Sequence, residues 1–421
     1  MYSKIDSFRR VVITGFGCVT PIGIGAGAFW SALKDGRSGV SRIESFDTAD
    51  STVRIAAEIK NFDADAEVSS KDLKHLPRTV PLALASAREA LSDAGIRFEE
   101  LSLAARRAFG VVLGTGGGGL SFTEKQYEKW FCKTGKNASV YTIPSSTHGS
   151  LSSELSMAFG FHGMSHIVST GCTSSTDAIG YAAQNIALGK ADLILAGGVD
   201  APIAKGILEG FKLMTVLTRA WNDEPERASR PFSKDRSGIV LGEGSWIYVL
   251  ETLESAQNRG ARIYCEIKGY GSTCDAYHRV RLEENGVEPA RAMSLAIEDA
   301  GISTSEVDYV NLHGTSTEIN DRIETKAVKN VFGKRAYDIC TSATKSQIGH
   351  PQGASGAAGI GASLLALNEG IIPPTINLDV HDEECDLDYT PNKAGAKEVN
   401  IALSNCIGFG SKNSALVLGK V

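Results

Sequence analysis

Cys172 is where this chain most plainly offers a nucleophile. The run Ser165–Ser175 reads as a short strand, a tight turn and the start of a helix. Ile167 and Val168 would end a buried strand, Gly171 permits the sharp turn, and Ser174, Ser175, Thr176 and Asp177 supply first-turn helix chemistry. A thiol at the head of a helix faces free backbone N–H groups and the positive end of the helix dipole. Those can lower a cysteine pKa from roughly 8.5 into the ~3.5–7.5 range, so the expectation is a thiolate. A buried structural cysteine is the alternative that a lone thiol leaves open, and other residues must decide. His313 ends the strand-like run that begins at Val307, while Lys345 and His350 lie in Thr344–Gly359, whose small residues permit close packing around a turn and a helix.

The elements that would carry these groups occur twice. Residues 83–96 have a near echo in residues 290–302, and both read as amphipathic helices stopped by glycine. A strand ending in Gly114-Thr115-Gly116 follows the first, and Val307–Thr315 follows the second. Upstream, Ile13-Thr14-Gly15-Phe16-Gly17 is matched by Ile267-Lys268-Gly269-Tyr270-Gly271. Three matches in the same order indicate a duplicated α/β unit with mixed or mostly parallel sheets covered by helices. The junction falls near residues 255–262, giving a half at 1–258 with the cysteine and a half at 259–421 with the two histidines. Active groups would then sit at corresponding ends of two sheets.

With 421 residues, 42% of them hydrophobic, the chain can bury a large core. Its net charge of −6 argues against a general nucleic-acid binder. Eight cysteines without a Cys-x-x-Cys pair read as reduced, intracellular usage. The polar start Met1–Asp6 lacks the apolar core of a signal peptide, and no 18-residue apolar run appears, so a cytoplasmic protein away from membranes is expected.

Three weaker motifs are set aside. Gly15-x-Gly17 has Thr20 in the third glycine position of a dinucleotide loop. Gly116–Gly119 lacks the Gly-Lys-Ser/Thr of a phosphate loop and reads as a mobile or closely packed turn. His162 and His166 have helical spacing but no acidic partner, so no metal is expected there.

With Cys172, His313, Lys345 and His350 assembled, the chain resembles the β-ketoacyl-acyl-carrier-protein synthases, decarboxylating condensing enzymes of the thiolase superfamily. The similarity runs over essentially the whole length. It is carried by Gly171–Ser174, by Arg230–Gly238 with Leu241–Gly244, by His313–Thr317, by Lys345–His350 and by Asn405–Gly410. It implies the thiolase fold, an α/β architecture of duplicated halves in an αβαβα layering, with two sheets. It also implies that Cys172 takes an acyl group from a carrier-protein thioester and that His313 and His350 promote decarboxylation of a malonyl thioester. Backbone N–H groups of Cys172 and Phe409 would form the oxyanion hole, and Phe409 would gate the acyl pocket. Lys345 and Glu324 would support the histidines, and Thr315 and Thr317 would contact the phosphopantetheine arm. No cofactor or metal is implied, because that arm arrives on the carrier protein. The implied partners are an acyl carrier protein and a second subunit, either a copy of this chain or a chain-length factor.

Gly171–Ser175 and Asn320–Thr325 are most like the catalytic ketosynthase subunits of type II polyketide synthases. His313–Thr317 and Gly353–Gly356 look more like the fatty-acid branch, which keeps a homodimeric fatty-acid synthase as the alternative. Ile407 stands where many fatty-acid enzymes carry phenylalanine, and Gly117 where they often carry a larger residue, so both are expected to reshape the acyl channel. Lys71, Lys74 and His75 fall at i, i+3, i+4 spacing and would form a basic helix face attractive to an acidic carrier protein.

Overall fold

The computed structural model describes residues 8–132, 137–410 and 412–421; Met1–Asp6, read above for a targeting signal, lies outside the described residues. The principal sheet has eleven strands among the described residues, the short Gly23–Ile24 pairing only with the end of the first, and ten follow one another across it: β1 (Val11–Thr20), β2 (Phe109–Gly114), β3 (Ser165–Val168), β4 (Leu193–Asp200), β5 (Gly244–Thr252), β6 (Cys265–Cys274), β7 (Tyr309–Asn311), β8 (Cys340–Ser342), β9 (Ile401–Gly408) and β10 (Lys412–Gly419). The helices used below are α1 (Thr79–Asp93), α2 (Leu120–Phe131), α3 (Ser174–Ala187), α4 (Lys205–Leu213), α5 (Val287–Asp299), α6 (Glu318–Phe332) and α7 (Ser355–Glu369).

The strand order is β8-β7-β9-β10-β6-β1-β5-β4-β2-β3. From β1 outward the pairings run antiparallel to β5, antiparallel to β4, parallel to β2 and parallel to β3. From β6 outward they repeat that pattern through β10, β9, β7 and β8. The repeat seen in the sequence is therefore a repeat of topology. Two separate sheets were expected; instead the inner strands β1 and β6 pair over Val11↔Ile267, Val12↔Glu266 and Ile13↔Cys265, joining the two sets at one edge.

The Gly-x-Gly echo has a packing cause. A Cβ on Gly15 or Gly17 would lie 2.1 Å from a carbonyl oxygen of α1, and one on Gly269 or Gly271 would lie 2.1 and 2.2 Å from carbonyl oxygens of α5. Glycine lets each helix lie directly on its strand. The same helices end in equivalent aspartates: Asp93 accepts the Phe16 N–H and Asp299 accepts the Tyr270 N–H, both at 2.9 Å.

Between the two sets lie α3 and α7, whose residues are almost all buried. Small residues permit this: a Cβ on Gly356 would sit 1.9 Å from Thr176 Oγ1, and one on Gly359 2.5 Å from Asn311 Oδ1. One core cluster surrounds this central helix layer, a second lies under α1, and a third under α5 and α6. The result is the αβαβα layering of the thiolase fold. Among the described residues no helix is long and apolar enough to cross a membrane.

Candidate active site

Strand β3 delivers the chain to Gly171, whose φ of 72° belongs to the left-handed region. Residues Gly171–Thr173 form a 3₁₀ turn ahead of α3, with Cys172 4% exposed. Asp177, one turn into α3, clamps both sides of the cysteine, accepting Thr170 Oγ1 at 2.5 Å and Thr173 Oγ1 at 3.0 Å. The expected thiolate is not what results. Burial pushes the Cys172 thiol up to about 11, against the opposing pull of the Lys345 charge and of hydrogen bonds from the Phe409 and Cys172 N–H groups. Desolvation outweighs the helix terminus here because the thiol lies beneath the surface rather than at it.

His313 follows β7. Its backbone N–H and that of Gly314 donate to Glu324 at 2.7 and 2.8 Å, and Asn405 Nδ2 donates to the same carboxylate at 2.7 Å. Glu324 is thus a backbone anchor for the His313 loop, and burial raises its pKa to about 7. Lys345 Nζ donates to the His313 carbonyl at 2.6 Å and lies 3.1 Å from His313 Nδ1. An ammonium has no acceptor, so Nδ1 must receive that bond. His350 reaches the same condition differently: its Nδ1 accepts the Gln352 N–H at 3.0 Å, with Ser355 Oγ at 3.2 Å.

Both imidazoles have pKa values well below 6.5, first through burial and then through the charge of Lys345. Neutral rings with Nδ1 accepting carry their protons on Nε2, so two N–H donors converge. One nitrogen of each ring and the Cys172 sulfur lie within 4.8 Å of one another. A metal would need the lone pair that the Nε2 proton removes, so the cluster is arranged for hydrogen-bond donation. His162 and His166 do not share a helix; His162 precedes β3 and His166 lies within it.

These three side chains line a cavity of about 510 Å³ that also includes Thr315, Thr317, Ile407 and Phe409. Thr315 and Thr317 hydroxyls bond to each other at 2.8 Å across Ser316, which is held at φ 65°. Arg230 N–H donates to Ser316 Oγ and Gly238 N–H to the Ser316 carbonyl, which is how the Arg230–Gly238 motif shapes this wall. Gly117 does not line the cavity; its N–H is taken by Asp200. Cys406 lies behind His313, with its sulfur 3.1 Å from the Cys172 carbonyl and 3.4 Å from His313 Nδ1, and is outside the lining.

The basic face at residues 71–75 is only partly formed. The helix spans Ser70–Leu73 and His75 turns inward to Ser139 Oγ, while Lys71 and Lys74 remain exposed and line no part of the Cys172 cavity. Lys74 instead joins Arg78, Lys125 and Lys129 around a separate groove of about 750 Å³.

Asp200 escaped the sequence reading. It accepts Thr115 Oγ1 at 2.8 Å and the N–H groups of Gly116, Gly117 and Gly353 at 2.7, 2.9 and 2.7 Å. The signal was an acidic residue closing the apolar run Leu193–Val199, since a buried carboxylate needs donors.

Residues 8–256 match the family model for the β-ketoacyl synthase N-terminal domain and residues 264–379 that for its C-terminal domain. The chain belongs to the β-ketoacyl synthase family. It is 40% identical to 3-oxoacyl-[acyl-carrier-protein] synthase 2 of Synechocystis sp., over 98% of each chain. It is 41% identical to the putative polyketide β-ketoacyl synthase 1 of Streptomyces halstedii, over 97% of this chain and 98% of that one. Among solved structures, a type II polyketide synthase acyl-carrier protein in complex with its ketosynthase bound to the hexaketide gives a TM-score of 0.90 at 32% identity, covering 98% of this chain and 100% of that one. The ishigamide ketosynthase/chain length factor gives a TM-score of 0.90 at 35% identity, covering 99% and 100%.

Proposed function

We propose that this β-ketoacyl synthase joins a Cys172-bound acyl chain to malonyl-acyl-carrier-protein with loss of carbon dioxide, in type II polyketide biosynthesis. The observation that carries the reading is that one nitrogen of each imidazole lies within 4.8 Å of the Cys172 sulfur while Lys345 and the Gln352 N–H occupy the two Nδ1 atoms, which leaves Nε2–H of His313 and His350 as the donors. In the first step the Cys172 sulfur attacks an acyl thioester, and the proton it sheds ends on the departing pantetheine sulfur. The N–H groups of Cys172 and Phe409, already bonded toward that sulfur, are suited to the tetrahedral oxyanion, each such donor contributing ~3 kcal/mol.

In the second step the malonyl thioester carbonyl accepts both imidazole N–H groups. The bond to the carboxylate breaks, carbon dioxide leaves, and the electron pair passes into an enolate whose oxygen those donors stabilise. Neutral donors stabilise that oxygen without pinning the carboxylate that must depart. The enolate carbon attacks the acyl-Cys172 carbonyl, forming the carbon–carbon bond and expelling the Cys172 thiolate, which regains a proton. Lys345 and Glu324 act as positioning residues for His313, and Thr315 and Thr317 line the path of the arm.

The halves 1–258 and 259–421 belong to this reading, supported by the repeated strand order. So do an acyl carrier protein as partner, no cofactor beyond the arm it carries, and a cytoplasmic site of action, supported by eight free cysteines. Lys71 and Lys74 are proposed carrier contacts, supported by the basic groove around Lys74. A homodimeric fatty-acid synthase is the second reading, favoured by the 40% identity to the Synechocystis enzyme. The deciding experiment loads carrier protein with acyl and malonyl groups and reads products by intact mass, with the chain alone and with a chain-length partner. Extension only with the partner supports the polyketide reading; extension alone supports the homodimer; extension by Cys172→Ala would overturn both.

A further inference from the structure

The active-site cavity is graded in exposure. Cys172, His313 and His350 on its floor are 4%, 2% and 3% exposed and Thr315 is 6%, whereas Thr317 is half-buried and Glu318, Ile319 and Arg281 are exposed. A substrate whose thioester reaches the floor extends toward the exposed part of the lining, which holds Met214, Thr215, His278, Glu318, Ile319 and Arg281, the arginine among them. We infer that Arg281 is the phosphate-binding residue of this mouth, taking the phosphodiester that ties the pantetheine arm to its carrier. The inference rests on the condensing reading above and assigns the site a residue for the far end of its substrate.

Arg281 is the arginine at the cavity still free to bind. Arg236, the other, is buried and committed: its Nε and Nη2 donate to the carbonyls of Thr317 and Glu318, and its Nη1 to the Ser233 carbonyl and Asp382. The His278 ring is turned back on its own loop, with Nδ1 accepting the N–H groups of Val280 and Arg281 at 3.0 and 3.1 Å. Among the described residues Arg281 makes no ion pair and no side-chain hydrogen bond.

The loop that presents it is held at several points. Asp275 accepts Glu283 N–H at 3.1 Å and Asn413 Nδ2 at 2.7 Å, and the Arg279 carbonyl accepts Gly410 N–H at 2.8 Å, next to Phe409. Glu318, the acid of the lining, lies in the first turn of α6, where the helix dipole offsets its charge. A guanidinium matches a phosphodiester through two parallel N–H bonds, and an exposed cation at this mouth stands out on a chain of net charge −6.

The test uses two carrier-free donors, malonyl-phosphopantetheine and malonyl-pantetheine, so that protein docking plays no part. Decarboxylation kinetics are measured for the wild type, Arg281→Ala and Arg281→Lys, with thermal melting as a check on folding. Arg281→Ala is expected to lower kcat/KM for the phosphorylated donor about tenfold, the lower end of what a hydrogen bond to a charged group supplies, through KM. It should leave malonyl-pantetheine unchanged, and Arg281→Lys should recover part of the loss. An equal loss on both donors, or no loss on either, overturns the assignment. A wild type that decarboxylates neither donor overturns the condensing reading, and this assignment falls with it.

Discussion

Cys172 and the two histidines are all held in their neutral forms, first of all by burial. Burial, with a smaller push from the Asp200 charge, holds the thiol near 11, while the imidazoles are depressed by burial and by the Lys345 ammonium. For the thiol the sign is direct: the reactive thiolate grows with pH until the pKa is passed. Alkylation of Cys172 by iodoacetamide, followed on its own peptide by mass spectrometry, should therefore still be rising at pH 10; a plateau near pH 7 would show an activated thiolate. For His313 the argument concerns Lys345. Its charge disfavours the imidazolium and its N–H fixes the tautomer, so Lys345→Met should raise the His313 pKa and lower malonyl decarboxylation by roughly tenfold to a hundredfold. Ring-proton NMR across the pH range reads the first effect, and an unmoved His313 resonance would falsify it. The identities of these groups were legible in the sequence, because a cysteine at a strand-to-helix turn and two His-containing loops stand out. Their protonation was not. It depends on Lys345, which tertiary packing brings to His313, and on a local turn that folds the Gln352 N–H back onto His350.

At the scale of elements, the least legible feature was the glycine-rich turn Gly116–Gly119. It read as mobile or closely packed, and the structure shows the second, because Asp200 at the end of β4 binds it. A Cβ on Gly353 would lie 2.2 Å from the Gly116 nitrogen, so the turn after β2 and the turn before α7 approach without side chains between them. Asp200 holds both turns, and the Gly353 N–H it accepts is adjacent to the Gln352 N–H that sets the His350 tautomer. Replacing the carboxylate with an amide turns an NH₂ group toward these donors. Asp200→Asn should cost about 1–3 kcal/mol of stability and lower kcat with little change in KM, measured by denaturant titration and steady-state kinetics. A stable variant with full kcat would show that the clamp does not reach His350. The contrast with Gly15-x-Gly17 is instructive. That motif was dismissed as a nucleotide loop, but its echo at Gly269-x-Gly271 was readable as a repeat because the helices it packs against repeat too.

For the whole molecule, the duplicated topology makes the two outer strands counterparts, β3 in the first half and β8 in the second, yet their environments differ. In β3, Ser165 and His166 are exposed and Ile167 and Val168 half-buried, whereas Thr341 and Ser342 of β8 are buried. An open strand at the end of a wide sheet is a template for pairing with another chain. A two-fold symmetric pairing through β3 sets the same residues of both copies near one another, so one substitution introduces two like charges. His166→Glu should therefore weaken self-association at least tenfold, given that like charges at an interface cost several kcal/mol. A pairing with a different subunit meets only one new charge and should weaken much less. Sedimentation of the variant alone and mixed with a chain-length partner distinguishes these cases. Loss of the homodimer with retention of the mixed dimer would mark β3 as the shared edge and the heterodimer as the more tolerant assembly. Unchanged self-association would place the subunit contact on another surface.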